Sequence, residues 1–189
     1  MVKLKNIDLN KIVNKKSILI ILAIVVILLI VVASIFYIKN MNTIKTYTNS
    51  ELGWTVQYSS SIKMYSSDNT FIFKNENPKY IFQVQILPIQ AFAETDSLDD
   101  ITDQMLNGTE AGVDNFQFIG SKKIQYQGFS ANRTQSTFQY KGDKQVLMAD
   151  EVFLVKNDNI FRISTIFDNN VTELDQKLKN MVNSFKLIK

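Results

Sequence analysis

From Ser17 to Ile38 the chain carries no charged side chain, and Ile18 to Ala33 is an unbroken run of Ile, Leu, Val and Ala. No polar position recurs at helical spacing, so the run lacks the two-faced pattern of a helix lying on a core. A helix rises about 1.5 Å per residue. The 22 positions of 17–38 therefore reach roughly 33 Å, enough for a hydrocarbon core of about 30 Å. Only a helix satisfies its own backbone in lipid, so the pattern predicts one transmembrane helix over 17–38, with Tyr37 as an interfacial anchor. A cleaved signal peptide is the competing reading. Its apolar region is usually shorter, at about 7–15 residues, and it ends at a small-x-small site. Here Ala33-Ser34 runs into Ile35, Phe36 and Tyr37. The expectation is an uncleaved anchor.

After Ile38 the pattern changes. Asn40 to Thr48 is polar and reads as a tether, placed over 39–46, that passes into a first strand. From there apolar positions recur with period two. Trp54, Val56 and Tyr58 alternate with polar neighbours, Tyr80, Phe82, Val84 and Ile86 with a mixed face that carries Gln83 and Gln85, and Phe161 and Ile163 with Ile160, Arg162 and Ser164. Each run predicts a strand with one face on a core. Lys141-Gly142-Asp143-Lys144 and Lys156-Asn157-Asp158-Asn159 separate such runs, and their residues tolerate positive φ, so antiparallel hairpins are expected.

Two stretches switch to helical spacing. Leu98, Ile101 and Met105 share a face behind Asp96 or Ser97 as N-cap, in a helix extending to about Asp114 unless Asn107-Gly108 stops it sooner. Val171, Leu174, Leu178, Met181, Val182 and Phe185 form a second stripe, with Asn170 and Glu173 placed as a capping box. The fold class predicted is α+β: an antiparallel sheet with flanking helices, over residues 47–189.

Charge orients the chain. Residues 1–16 hold five lysines against Asp8, a net +4, whereas Lys45 to Lys189 hold 15 basic and 17 acidic side chains. Lysine-rich flanks stay in the cytoplasm, which puts a basic tail (1–16) inside and the domain outside the cell membrane. The near-neutral domain lacks the basic face of a nucleic-acid reader, so no nucleic acid is expected among its partners. The chain has no Cys and no His. Disulfides, thiol nucleophiles, thiolate zinc sites, histidine metal ligands and a Ser-His-Asp triad are thereby excluded.

The order of elements resembles the PsbP-like domain. Tyr47-Thr48-Asn49, then Gly53-Trp54-Thr55-Val56-Gln57-Tyr58, lead to strands, an acid-capped helix and hairpins, and the chain closes on Asp175…Met181-Val182-Asn183-Ser184-Phe185-Lys186. Ser59 and Ile62 stand where that family often has Pro and Trp. The resemblance covers roughly 45–189. It implies an α/β/α sandwich around an antiparallel sheet, and it supplies no reaction.

The remaining candidates each have a functional and a plain reading. Glu94, Asp96, Asp99, Asp100 and Asp103 could hold a divalent cation, but they miss the spacing of a calcium loop and suit a helix N-terminus, which favours carboxylates. Asp150-Glu151 could serve acid–base chemistry, but neighbours on a strand point to opposite faces, and solvent-facing charges are expected. Asn107, Asn132 and Asn170 each open an N-x-[ST] glycosylation sequence, and these stay open. Tyr126, Phe129, Phe138, Tyr140, Phe153 and Phe161 could line a groove, but on half-buried strands they read as core.

No catalytic residue, metal ligand or cofactor is expected. The function expected is a membrane-anchored, non-catalytic binding or accessory domain. Its partners are the bilayer through 17–38 and another envelope protein or a small ligand. The alternative is a carboxylate-dependent hydrolase or metal-binding ectodomain. Two carboxyl groups about 5–9.5 Å apart in one pocket would favour that alternative.

Overall fold

The computed structural model describes residues 15–41, 43–76, 79–171 and 174–188. The chain forms two compact units, residues 1–43 and 44–189.

The first unit contains helix α1, Lys15–Met41. Its described side chains, Ile20 to Ile35 and Tyr37, are all exposed, with no buried face. The Ser34 hydroxyl donates to Ile30 O at 2.7 Å, inside the helix. Counting only described residues, no helix is long and apolar enough to cross a membrane. The span expected over 17–38 also takes in Ser17, Ile18, Leu19, Phe36 and Ile38, whose side chains lie outside the described set. Most of the expected tail lies outside it as well. The tether expected over 39–46 is shorter than its polarity suggested, because α1 runs to Met41 and strand β1 already begins at Ile44.

Among its described residues the second unit has ten strands and two α-helices. Strands β3 (Lys63–Ser67), β4 (Thr70–Glu76), β5 (Lys79–Pro88), β6 (Asp114–Tyr126), β7 (Phe129–Gln139), β8 (Leu147–Lys156) and β9 (Asn159–Asp168) make one seven-stranded sheet in the order β3-β4-β5-β9-β8-β7-β6. Every neighbouring pair in it is antiparallel. A second sheet of three strands has the order β1 (Ile44–Asn49), β2 (Trp54–Ser59), β10 (Lys186–Leu187). The sequence reading placed a single sheet here. The closing Ser-Phe-Lys segment instead ends in a short strand paired to β2.

Local chemistry accounts for the connections. Asn157 and Asp158, at φ 50° and 57°, close β8 to β9 as a two-residue turn whose twist matches the flanking strands. Gln127 and Gly128 do the same between β6 and β7. Helix α2 spans Leu98–Gly112, where Ser97 and Asp100 make a capping box. Helix α3 spans Gln176–Ser184, with the Asp175 carboxylate accepting from Lys177 N. The capping box expected from Asn170 and Glu173 is not what starts it. Asn170 sits in a turn where its N–H donates to Asp168, and Glu173 lies outside the described residues. Asp175 competes successfully because its carboxylate reaches the first-turn amide.

The large sheet is buried on both sides. One face carries Phe71, Phe73, Tyr80, Phe82, Val84, Phe161 and Ile163, packed with Trp54 and Val56 of β2 and with Leu178, Met181 and Phe185 from the α3 region. The Trp54 ring lies 5.1 Å from Phe71 and 5.7 Å from Phe185. The other face carries Phe153 and Ile160 under Ile101, Met105 and Leu106 of α2. The expectation that β9 has one core face therefore fails in one respect: Ile160 and Ile166 are buried as fully as Phe161 and Ile163, because β9 lies at the sheet's centre.

Gly53 shows how tightly the two sheets meet. It has φ +69°, and a Cβ there would lie 2.5 Å from Lys156 Nζ, which donates to Gly53 O at 3.1 Å. Gly53→Ala is expected to cost about 1–3 kcal/mol, the range for a residue held in a left-handed conformation. Gly108→Ala, in open space within α2, is expected to stabilise by about 0.5–1 kcal/mol. Denaturant unfolding of both variants measures the two signs.

Candidate functional site

Strand alternation divides the two adjacent acids of β8. Asp150 shares a face with Arg133 of β7, and Glu151 shares the opposite face with Arg162 of β9. The opposite orientation expected of neighbours on a strand holds. The solvent exposure expected of them does not: Glu151 is 1% exposed, and each acid is paired with an arginine from a neighbouring strand.

On the first face, Arg133 Nε donates to Asp150 Oδ1 at 2.7 Å, and its Nη2 donates to Oδ2. This forked geometry holds the Arg133 guanidinium firmly protonated, the carboxylate hydrogen bond raising its pKa further. The pair forms the polar floor of a cleft of about 250 Å³. Ile124, Tyr126, Val152 and Phe167 line it from the sheet, and Leu174 and Val182 close it from the α3 side. Burial pushes the Tyr126 phenol above its ordinary range. Helix α3 begins at Gln176 and packs on β2 and β5. Among the described residues, Arg133 Nη1 has no hydrogen-bond partner. The floor thus offers a cationic donor within apolar walls.

A second cavity, of about 230 Å³, shares Phe167 and Leu174 with the cleft. Tyr80 lines it, and its buried hydroxyl has no partner among the described residues. Burial, and then the nearby Asp175 carboxylate, push the Tyr80 phenol far up.

On the opposite face, Glu151 Oε1 accepts from Arg162 Nε at 2.8 Å and from Ser164 Oγ at 2.6 Å. Arg162 Nη2 reaches Thr109 Oγ1 of α2 at 2.9 Å, and its guanidinium lies 5.6 Å from the Phe153 ring centre. This buried network ties α2 to the sheet. It borders a small cavity of about 160 Å³ that Tyr140 also lines. None of the five cavities found among the described residues brings two carboxylates together.

Of the five acids around the start of α2, three are engaged, each by different partners. Asp96 accepts from Ala93 N and Gln104 Nε2, Asp99 pairs with Lys123 and Asn132, and Asp100 caps the helix with Ser97. The Lys123 hydrogen bond, then that of Asn132, lowers the Asp99 pKa; the Ser97 hydroxyl and amide lower that of Asp100. The described residues contain no group of three acids able to hold a metal ion.

The glycosylation sequences separate by burial. Asn132 is 4% exposed, and its Nδ2 donates to Leu98 O, Asp99 Oδ1 and Thr102 Oγ1, so the folded chain withholds it from modification. Asn107 lies exposed on α2, and Asn170 lies exposed in a turn. Of the aromatic series, Phe138, Phe153 and Phe161 are core, Tyr126 and Phe129 are half-buried, and Tyr140 is exposed. Sequence reasoning missed Arg133 and Arg162. The available signal was an arginine in the strand on either side of the Asp150-Glu151 pair.

The α+β unit, with an antiparallel sheet covered on both faces and a cleft beside α3, has a PsbP-like fold. The solution structure of cyanobacterial PsbP (CyanoP) from Synechocystis matches it with a TM-score of 0.55 at 12% identity, over 77% of this chain and 92% of that one. A crystal structure from Bacteroides thetaiotaomicron gives 0.49 at 10% identity, over 77% of this chain and 48% of the other. LpqN of Mycobacterium tuberculosis, a protein involved in cell envelope biogenesis, gives 0.47 at 12% identity, over 78% and 93%. No family model and no curated protein matches the sequence.

Proposed function

We propose that this chain is a membrane-anchored accessory protein whose outer domain binds an apolar group through the cleft floored by Arg133 and Asp150. The cleft carries the reading: a mostly apolar cavity with a few converging polar groups is the usual form of a ligand site. Arg133 Nη1 would donate to a carbonyl or carboxylate on the bound group, and the apolar walls would take the rest. The anchor is the uncharged stretch 17–38, with the lysine-rich flank inside and the domain outside the cell. A non-catalytic role is inferred from the way the two strand acids are used. Each is held by an arginine and they face opposite sides, so they do not form the acid–base pair that a carboxylate hydrolase needs.

Two experiments test the reading. Protease added to intact cells should remove the domain and leave the anchor; a protected domain, or a mature chain beginning near Ile35, would overturn the topology. A photoreactive residue at position 152, in the cleft, should give a defined adduct in native membranes. The same group at position 103, on the exposed side of α2, serves as the control. Equal labelling at both positions, or none at 152, would remove the cleft as the binding site.

A further inference from the structure

We propose that the outer edge of β6, over residues 120–126, accepts an extended acidic segment of a partner protein as an added strand. The side chains of Ile124 and Tyr126 on this stretch line the cleft, but strand addition uses the outer backbone edge, and the proposal does not depend on the cleft's use.

β6 is 13 residues long and is the last strand of the large sheet, so among the described residues its outer side has no strand partner. An unpaired edge presents a row of N–H and C=O groups that can template another strand. The other edge of the sheet, β3, has only five residues. Register shifts between Asp114 and Gln117 and between Phe118 and Gly120 distort the first half of β6. From Gly120 to Tyr126 every residue pairs in regular register with β7, so this half keeps the geometry needed for strand addition.

A cavity lies along the same stretch. At about 510 Å³ it is larger than the cleft, and it is lined by Lys123 and Gln125 of β6, Ser130 and Asn132 of β7, and Ser97 and Asp99 at the start of α2. Strand addition gains affinity from main-chain bonds and specificity from pockets that receive alternate side chains. Edge and cavity together supply both parts.

Charge selects the occupant. Lys122 and Lys123 project from this stretch, and the Lys123 side chain is 80% exposed even while its ammonium bonds Asp99 at 2.8 Å. A second copy of the chain is disfavoured. Two-fold pairing of 120–126 with itself sets Lys123 opposite Lys123, and like charges directly opposite are destabilising. An incoming strand with carboxylates at alternate positions sets them all on one face and meets Lys122 or Lys123 according to its register, and the Lys123 ammonium has donors to spare beyond its bond to Asp99.

The test uses the full chain in lipid nanodiscs and two short peptides, threonine alternating with glutamate and threonine alternating with lysine. Backbone hydrogen exchange over 120–126 is the readout. The glutamate peptide should slow exchange there at least tenfold, and the lysine peptide should not. The double variant K122E/K123E should reverse the preference, and that reversal also shows that the variant is folded. Absent protection over 120–126, or equal protection by both peptides, would each overturn the proposal.

Discussion

Replacing Glu151 with alanine is expected to destabilise the outer domain by about 3–5 kcal/mol, the usual consequence of leaving a buried charge without its partner. The Glu151 side chain is 2% exposed and that of Arg162 is 14% exposed, so water cannot replace the lost carboxylate easily. Oε1 alone accepts from both Arg162 and Ser164, and Arg162 in turn bonds Thr109 on α2. The alanine variant therefore strands a guanidinium between β9 and α2 and orphans the Ser164 hydroxyl. Arg133 and Asp150 form the internal comparison. Their side chains are 40% and 20% exposed, so Asp150→Ala should cost clearly less. Denaturant unfolding of residues 44–189, expressed alone, measures both. A loss below about 1 kcal/mol for Glu151→Ala would mean that water enters the α2 face and solvates Arg162.

Leu178→Ala is expected to cost about 2–5 kcal/mol, the range for emptying a leucine site in a core. Leu178 is 1% exposed and packs in the cluster that contains Trp54 and Phe185. It also lines the cavity beneath Tyr80. The space left by the side chain joins an existing void, so the neighbours cannot close it by a small shift, which places the cost in the upper half of that range. The same denaturation experiment reads it, and a change under about 1 kcal/mol would show that α3 does not dock on the sheet.

Much of the fold was legible in the residue pattern. Period-two runs marked β2, β5 and part of β9, because a strand with one face on a core must alternate. Asn157-Asp158 marked a hairpin, because two adjacent residues tolerant of positive φ suit the turn that matches strand twist. Asp96 or Ser97 marked the start of α2, because capping is settled within a few residues, and the structure takes Ser97, with Asp100 completing a capping box. The start of α3 was misplaced for a related reason. Asn170 and Asp175 are both adequate caps, and the choice between them depends on where the helix can reach β2 and β5.

The sequence by itself determined the uncharged stretch of 17–38, the lysine asymmetry around it, the absence of Cys and His chemistry, and the alternation of most core strands. These follow from composition and from spacings of a few residues. Only the tertiary structure decided which strands became neighbours. Strand order placed Arg133 beside Asp150 and Arg162 beside Glu151, although the partners lie 17 and 11 residues apart in the chain. It also left the outer side of β6 without a strand partner among the described residues and formed the cleft between the sheet and the α3 region. Pairing energy between strands is set by contacts distant in sequence, and hydrophobic period along one strand carries no record of which strand will lie next to it.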